Sequence, residues 1–152
     1  MYQYYKGLII REGTSGVPAE QVKKLFEEAG WVRGVPEWQM EKFSLLFENS
    51  AWAFTVWSGE EMVGMVRVIS DKIMAGNIMD LVVQKKWQGK GIGQKLVSLC
   101  VAKLPHGDWF AHTSADNFTF YKRCGFEVKD LKKNGTCAYY GYIQAKKDGD
   151  RL

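Results

Sequence analysis

Three glycines within five residues, Gly89, Gly91 and Gly93, preceded by Gln88 and interrupted by Lys90 and Ile92, are the segment of this sequence best suited to chemistry. Glycines let a backbone turn tightly and present several N–H groups on one side. Where such a turn opens a helix, the helix dipole adds positive potential, so a phosphate or pyrophosphate gains hydrogen bonds and field together. Two common phosphate motifs do not fit. The spacing is not the Gly-x-Gly-x-x-Gly of dinucleotide sites, and Lys90 is followed by Gly91 where a P-loop needs Ser or Thr. A second group is Asp80, an acid inside the apolar run 78–83. A carboxylate there is costly to bury unless solvated or paired. It therefore reads either as a cleft residue with a raised pKa that can take a proton, or as an anchor pairing with Arg67 on a neighbouring strand, and both readings stand at this point. His106 and His112 lack the spacing of metal ligands and read as structural, and no metal site is expected.

Apolar spacing shows which elements would hold these groups. Leu8, Ile9 and Ile10 form a short run that breaks at Gly13 and Gly16, as a strand ending in a turn does. Over 18–29, Val22, Leu25, Phe26 and Ala29 recur at spacings of three and four, with Pro18 suited to a first turn and Gly30 after the end, which predicts an amphipathic helix. A loop over 31–36 leads to a second helical pattern through Met40, Phe43, Leu46 and Phe47; Trp31 and Trp38 either cap the core there or face a ligand from an aromatic lid. The stretches 51–58 and 62–69 read as a hairpin. The run 78–83 reads as a strand covered on both faces. It leads through the glycine turn into a helix carrying Ile92, Leu96, Leu99 and Cys100, stopped by Pro105 and Gly107. Further on, 108–113 reads as a strand, 116–124 as a short helix ended by Gly125, and 136–143 as a final strand, with the tail 145–152 frayed. No repeat or linker divides the chain, so 1–152 is expected to be a single α/β domain.

Composition bounds the rest. An apolar fraction of 46% with 25% charged residues is ordinary globular usage and excludes global disorder. A net charge of +4 favours an anionic partner without choosing among them, and Lys85, Lys86, Lys90 and Lys95 crowd the glycine turn. Three cysteines, odd in number and widely spaced, argue for reduced thiols. The N-terminal residues lack an apolar signal core and no stretch reaches the roughly 20 apolar residues of a membrane helix, so the expectation is a cytoplasmic protein with no membrane partner.

The segment from Val82 to Gly93 is similar to the acyl-CoA signature of the GNAT N-acetyltransferase superfamily, Gln/Arg-x-x-Gly-x-Gly/Ala, which it matches at Gln88, Gly91 and Gly93. Asn117 to Phe126 resembles a second block of that family, matching at Asn117, Tyr121, Gly125 and Phe126. Gly30-Trp31-Val32-Arg33, the strand over 64–71 and Met79 to Val83 resemble more narrowly the aralkylamine N-acetyltransferase-like branch of bacteria and plastids. The resemblance implies a GNAT fold, a single mixed and mostly antiparallel sheet of about six to seven strands flanked by about four helices. It also implies an enzyme using acetyl-CoA as donor and no metal. In that reading the backbone of Gln88, Gly89, Lys90, Gly91, Ile92 and Gly93 holds the pyrophosphate, with charge added by Lys85, Lys86 and Lys90. The edge at Leu81, Val82 and Val83 pairs with the pantetheine arm, and Asn117 hydrogen-bonds that arm. The N–H of Val83 or a neighbour donates to the thioester oxygen, and Tyr121 touches the donor and protonates the departing sulfur. Asp80 is the candidate base and, with Trp31, lines the acceptor site. A homodimer is implied by analogy alone.

The expected reaction is direct acetyl transfer to a primary amine of a small molecule. One alternative acceptor is a protein lysine or N-terminal amine. A different class of reading is a CoA-binding or nucleic-acid-binding module without turnover, although no nucleic-acid partner is expected.

Overall fold

The computed structural model describes residues 1–129, 132, 137 and 139–149. Short turns between consecutive segments assemble its sheet largely by adjacency. Strands β1 (Tyr2–Tyr5) and β2 (Leu8–Glu12) meet at Lys6 and Gly7, whose φ angles of 50° and 81° are those that a tight two-residue hairpin turn demands. Helices α1 (Ala19–Glu28), α2 (Glu37–Met40) and α3 (Phe43–Glu48) follow, then strands β3 (Trp52–Ser58), β4 (Glu61–Ser70) and β5 (Ala75–Val83). Asp71 shapes the β4–β5 turn by accepting from the amides of Ile73, Met74 and Ala75, and those bonds lower its pKa. Helix α4 (Ile92–Val101) crosses over to strand β6 (Asp108–Ala111), and α5 (Phe118–Arg123) and α6 (Gly141–Lys147) complete the order.

The six strands lie in the order β1-β2-β3-β4-β5-β6. Among the described residues the first four pairings are antiparallel and β5–β6, whose connection runs through α4, is parallel. This is the mixed, mostly antiparallel sheet expected. Each face of the sheet carries its own core. On one face Leu8, Ile10, Phe54, Val56, Val66, Val68 and Ile78 pack against Ile92, Leu96, Val97 and Cys100 of α4 and Tyr121 of α5. On the other, Ala53, Trp57, Met62, Met65 and Val82 pack against Val22, Leu25 and Phe26 of α1 and Phe43 and Phe47 of α3.

Four expectations need correction. Strand β1 was not anticipated; its tyrosines favour strands, and the Lys6-Gly7 turn is the local signal for the hairpin. The helical pattern from Met40 to Phe47 is divided between α2 and α3, because Lys42 leaves helical geometry (φ −103°, ψ 15°). Thr136 and Ala138 of the final strand lie outside the described residues, and Gly141, Tyr142 and Ile143 begin α6 instead. Lys146 and Lys147 in the last turn of α6 suit the negative end of a helix dipole, a local preference that the strand-favouring tyrosines concealed. Lastly, β5 is covered on both faces only in part: Ile78 packs on the α4 side and Val82 on the α1–α3 side, while Met79 is exposed. Part of its apolar run borders a cleft.

Candidate active site

The cleft arises where β5 and β6 part. Parallel pairing joins Ala75–Asp108, Gly76–Trp109, Asn77–Phe110 and Ile78–Ala111 and then stops, so from Met79 to Val83 no described strand pairs with that edge of β5. A cavity of about 1040 Å³ opens there. On its other edge β5 remains paired with β4, with one irregularity. Arg67 faces Asp80 and Val68 faces Ile78, leaving Met79 as an extra residue, a β-bulge of the kind that often borders active sites. Simple alternation would put Asp80 on the same face as Ile78, in the α4 core. The bulge turns it to the opposite face.

Asp80 is consequently set beside Arg67, whose Nε donates to Asp80 Oδ2; the two side chains are 19% and 14% exposed. The guanidinium satisfies a carboxylate that apolar neighbours alone would penalise. Of the two roles left open by the sequence, the ion pair with Arg67 is present, and Asp80 also lines the cleft.

The glycine turn forms the end wall. After a 3-10 turn (Lys85–Trp87), Gln88 Nε2 donates to the Val83 carbonyl at 2.9 Å, tying the turn to the end of β5. Gly91 is the N-cap of α4 with φ 81°, a left-handed conformation that side chains resist. At Gly93 the constraint is space: a Cβ there would stand 3.1 Å from the Phe120 ring of α5, a contact that ring would have to ease. The first-turn amides of α4, which have no intrahelical partners, lie at this glycine-lined wall.

Tyr121 is buried beneath that wall, edge-on to Phe120 and tilted against Phe126. Burial, reinforced by the neighbouring Cys124 and Cys100 thiols, pushes its phenol up to about 12. It stays protonated at neutral pH and so keeps a proton to give. Opposite, α1 ends in a Schellman motif in which Gly30 (φ 75°) donates to the Glu27 carbonyl and Trp31 to the Phe26 carbonyl. The accompanying apolar contact is Trp31 on Phe26, with ring centroids 5.4 Å apart, and it sets Trp31 on the cleft wall.

A family profile described as the acetyltransferase (GNAT) domain matches residues 49–128, just over half of the chain and, apart from Trp31, the part that lines this cleft. The chain belongs to the GNAT acetyltransferase family. This GNAT chain is 27% identical over 122 residues to the uncharacterized N-acetyltransferase ycf52 of Gracilaria tenuistipitata var. liui, a match covering 74% of the chain. It spans 64% of the length of that relative. Among solved structures, an aminoglycoside acetyltransferase from an uncultured soil metagenomic sample, in complex with sisomicin, superposes with a TM-score of 0.67 at 20% identity, covering 88% of this chain and 95% of the other. Glucosamine-6-phosphate N-acetyltransferase from Arabidopsis thaliana superposes at 0.64 and 20% identity, covering 88% and 97%. At these identities the structures share the fold.

Among the residues singled out from sequence, the GNAT cleft gathers Trp31, Asp80, Leu81, Val83, Gln88, Gly89, Gly91, Ile92, Gly93, Asn117 and Tyr121 along its walls. Val82 points its side chain into the α1–α3 core, and Lys90 is exposed and off the wall. Asn117 donates to Thr113 Oγ1 at 2.9 Å. Lys85 and Lys86 are also exposed away from the wall, and Trp38 lies under Lys42. Trp52 lies beside Trp109, with ring centroids 6.2 Å apart. His112, read from sequence as structural, lines the cleft, as do Met79 and Trp87, which lie within the family-like segments but were given no site role. They are recruited because the strands part beside them.

The donor's fit can be tested on the wall itself. Trp87, whose residue lines the cleft, has its Nε1 buried with no hydrogen-bond partner among the described residues. Together with the glycine-lined turn, it suits an extended ligand rich in carbonyl and phosphate oxygens.

Proposed function

We propose that this chain is an acetyl-CoA-dependent N-acetyltransferase that moves an acetyl group directly to a primary amine of a small molecule. The observation that carries the reading is the parting of β5 and β6 over the glycine turn, with Tyr121 beneath and Asp80 on the same cleft. When bound, acetyl-CoA supplies the activated thioester.

The backbone from Gln88 to Gly93 holds the diphosphate in the field of α4. The open edge of β5 at Leu81, Val82 and Val83 receives the pantetheine arm as a strand would, and Asn117 steadies it. The Val83 N–H or a neighbour faces the thioester oxygen, where a preorganised donor is worth about 3–4 kcal/mol. Tyr121 gives a proton to the sulfur. A phenol raised to about 12 is a weak acid, but the burial that raises it also disfavours a naked thiolate, so the two move in parallel. Asp80, oriented by Arg67, receives the amine proton directly or through water. Trp31 supplies an aromatic wall for the acceptor, which supports the aralkylamine-like reading. The glucosamine-6-phosphate and aminoglycoside enzymes of the same fold act on small amine-bearing molecules by name. Three free cysteines, Cys100, Cys124 and Cys137, support a reducing compartment such as the cytoplasm.

Thiol release from acetyl-CoA, measured across small amines and a lysine peptide, tests the reading. Release with small amines, lost in Gly91→Glu, supports it. Release with the peptide alone transfers the acceptor to protein, and donor binding without release on any amine leaves a binding module.

A further inference from the structure

Outside the motif residues, the glycine turn receives a cation from far away in sequence. Lys6, at the tip of the β1–β2 hairpin, donates from Nζ to the Lys90 carbonyl at 2.6 Å across 84 positions. Its ammonium also lies 5.4 Å from the centroid of the Tyr5 ring, and Lys95 of α4 lies 5.6 Å from the same centroid. A Cβ on Gly91 would stand 3.3 Å from the Tyr5 hydroxyl and 3.5 Å from Lys6 Nζ, so this aromatic and this ammonium abut the N-cap of α4. The two ammonium groups gather positive charge around one ring beside the N-cap of α4, where an anion would meet both that charge and the α4 amides. The Lys90 carbonyl takes one of the three N–H donors that an ammonium carries. Lys6 moreover sits at φ 50°, where glycine or asparagine is the easier residue, so its side chain is held there against a backbone preference.

We infer that Lys6, delivered by the β1–β2 turn onto the glycine turn, is a specificity-determining cation for the phosphate-bearing end of the donor, distinguishing acetyl-CoA from the bare acetyl-pantetheine arm. This rests on the acetyl-CoA reading above. Charge-assisted bonds to phosphate are stronger than neutral ones, and at an exposed position they are screened by salt.

The test titrates the full chain and its Lys6→Gln, Lys6→Arg and Lys6→Gly variants with acetyl-CoA and with acetyl-pantetheine at several salt concentrations. Lys6→Gln is expected to weaken acetyl-CoA about tenfold and to flatten the salt dependence, while acetyl-pantetheine binds as before. Lys6→Arg restores most of the loss. Lys6→Gly separates charge from architecture: it raises the melting temperature by relieving the positive φ, yet weakens acetyl-CoA as Lys6→Gln does. Unchanged acetyl-CoA affinity in Lys6→Gln overturns the inference, as does an equal loss for both ligands, which would make Lys6 a latch on the shape of the turn. Failure of the unaltered chain to bind acetyl-CoA would instead bring down the donor reading, and it would be seen before any variant is made.

Discussion

The phenol of Tyr121 and the thiol of Cys100 are both pushed up to about 12 by burial, from ordinary values of 10.0 and 9.0. A group whose folded value lies above its unfolded one stabilises the fold fully below the unfolded value and loses that contribution as pH rises through the folded value. Stability should therefore hold to about pH 9, then fall, with Cys100 responding first and Tyr121 joining above about pH 10. Urea midpoints between pH 8 and 11 would show this, and Tyr121→Phe should make the decline shallower above pH 10. For catalysis the same raised value keeps Tyr121 protonated, so the alkaline limb of the rate should not lie near pH 10. Tyr121→Phe is expected to lower kcat about a hundredfold with little change in donor affinity, because a positioned acid acts in the transition state. A kcat equal to the unaltered chain's would remove Tyr121 from the chemistry.

At the scale of elements, the end of α1 links backbone conformation to the acceptor wall. Gly30→Ala puts a side chain at φ 75° and should cost about 1 kcal/mol in stability. Because Trp31 is set by that turn, the variant should also raise KM for the amine more than for acetyl-CoA; equal changes would detach Trp31 from the acceptor. How much of this was legible in sequence differs by element. Helix α1 was readable because Val22, Leu25 and Phe26 fall on one buried stripe with Gly30 behind it, and α4 because Gly91 and the spacing of Ile92, Leu96 and Cys100 say the same thing twice. The core strands followed from β-branched and aromatic runs. The open edge of β5 was not readable, since apolar residues that face a partner strand and those that face a ligand have the same composition. Nor was the Met79 bulge, which depends on the register with β4 and not on the residue itself. The Asp80–Arg67 pair was foreseeable as one of two options, and only the register chose it. Lys6 escaped notice because its partner lies 84 positions away.

Across the whole molecule, the proposed donor site draws on two elements at once, the edge of β5 and the N-terminus of α4. A ligand that joins them stabilises the folded state by mass action. Acetyl-CoA at one hundred times its Kd should add about 2.7 kcal/mol and, for a chain of this size, raise Tm by about 5–10 °C. A shift absent at saturation would contradict the site. Among the described residues the two cores lie on opposite faces of the sheet, with α4 and Tyr121 on one side and α1 and α3 on the other. The walls proposed for donor and acceptor are divided in the same way. Trp31 hangs from the α1 side, whereas the glycine turn and Tyr121 hang from the α4 side. Such a chain is modular in heredity as well as in space. Changes confined to the α1–α3 half can alter which amine is accepted while the α4 half keeps its hold on the donor, so new acceptors can be acquired by grafting that one layer onto an unchanged engine.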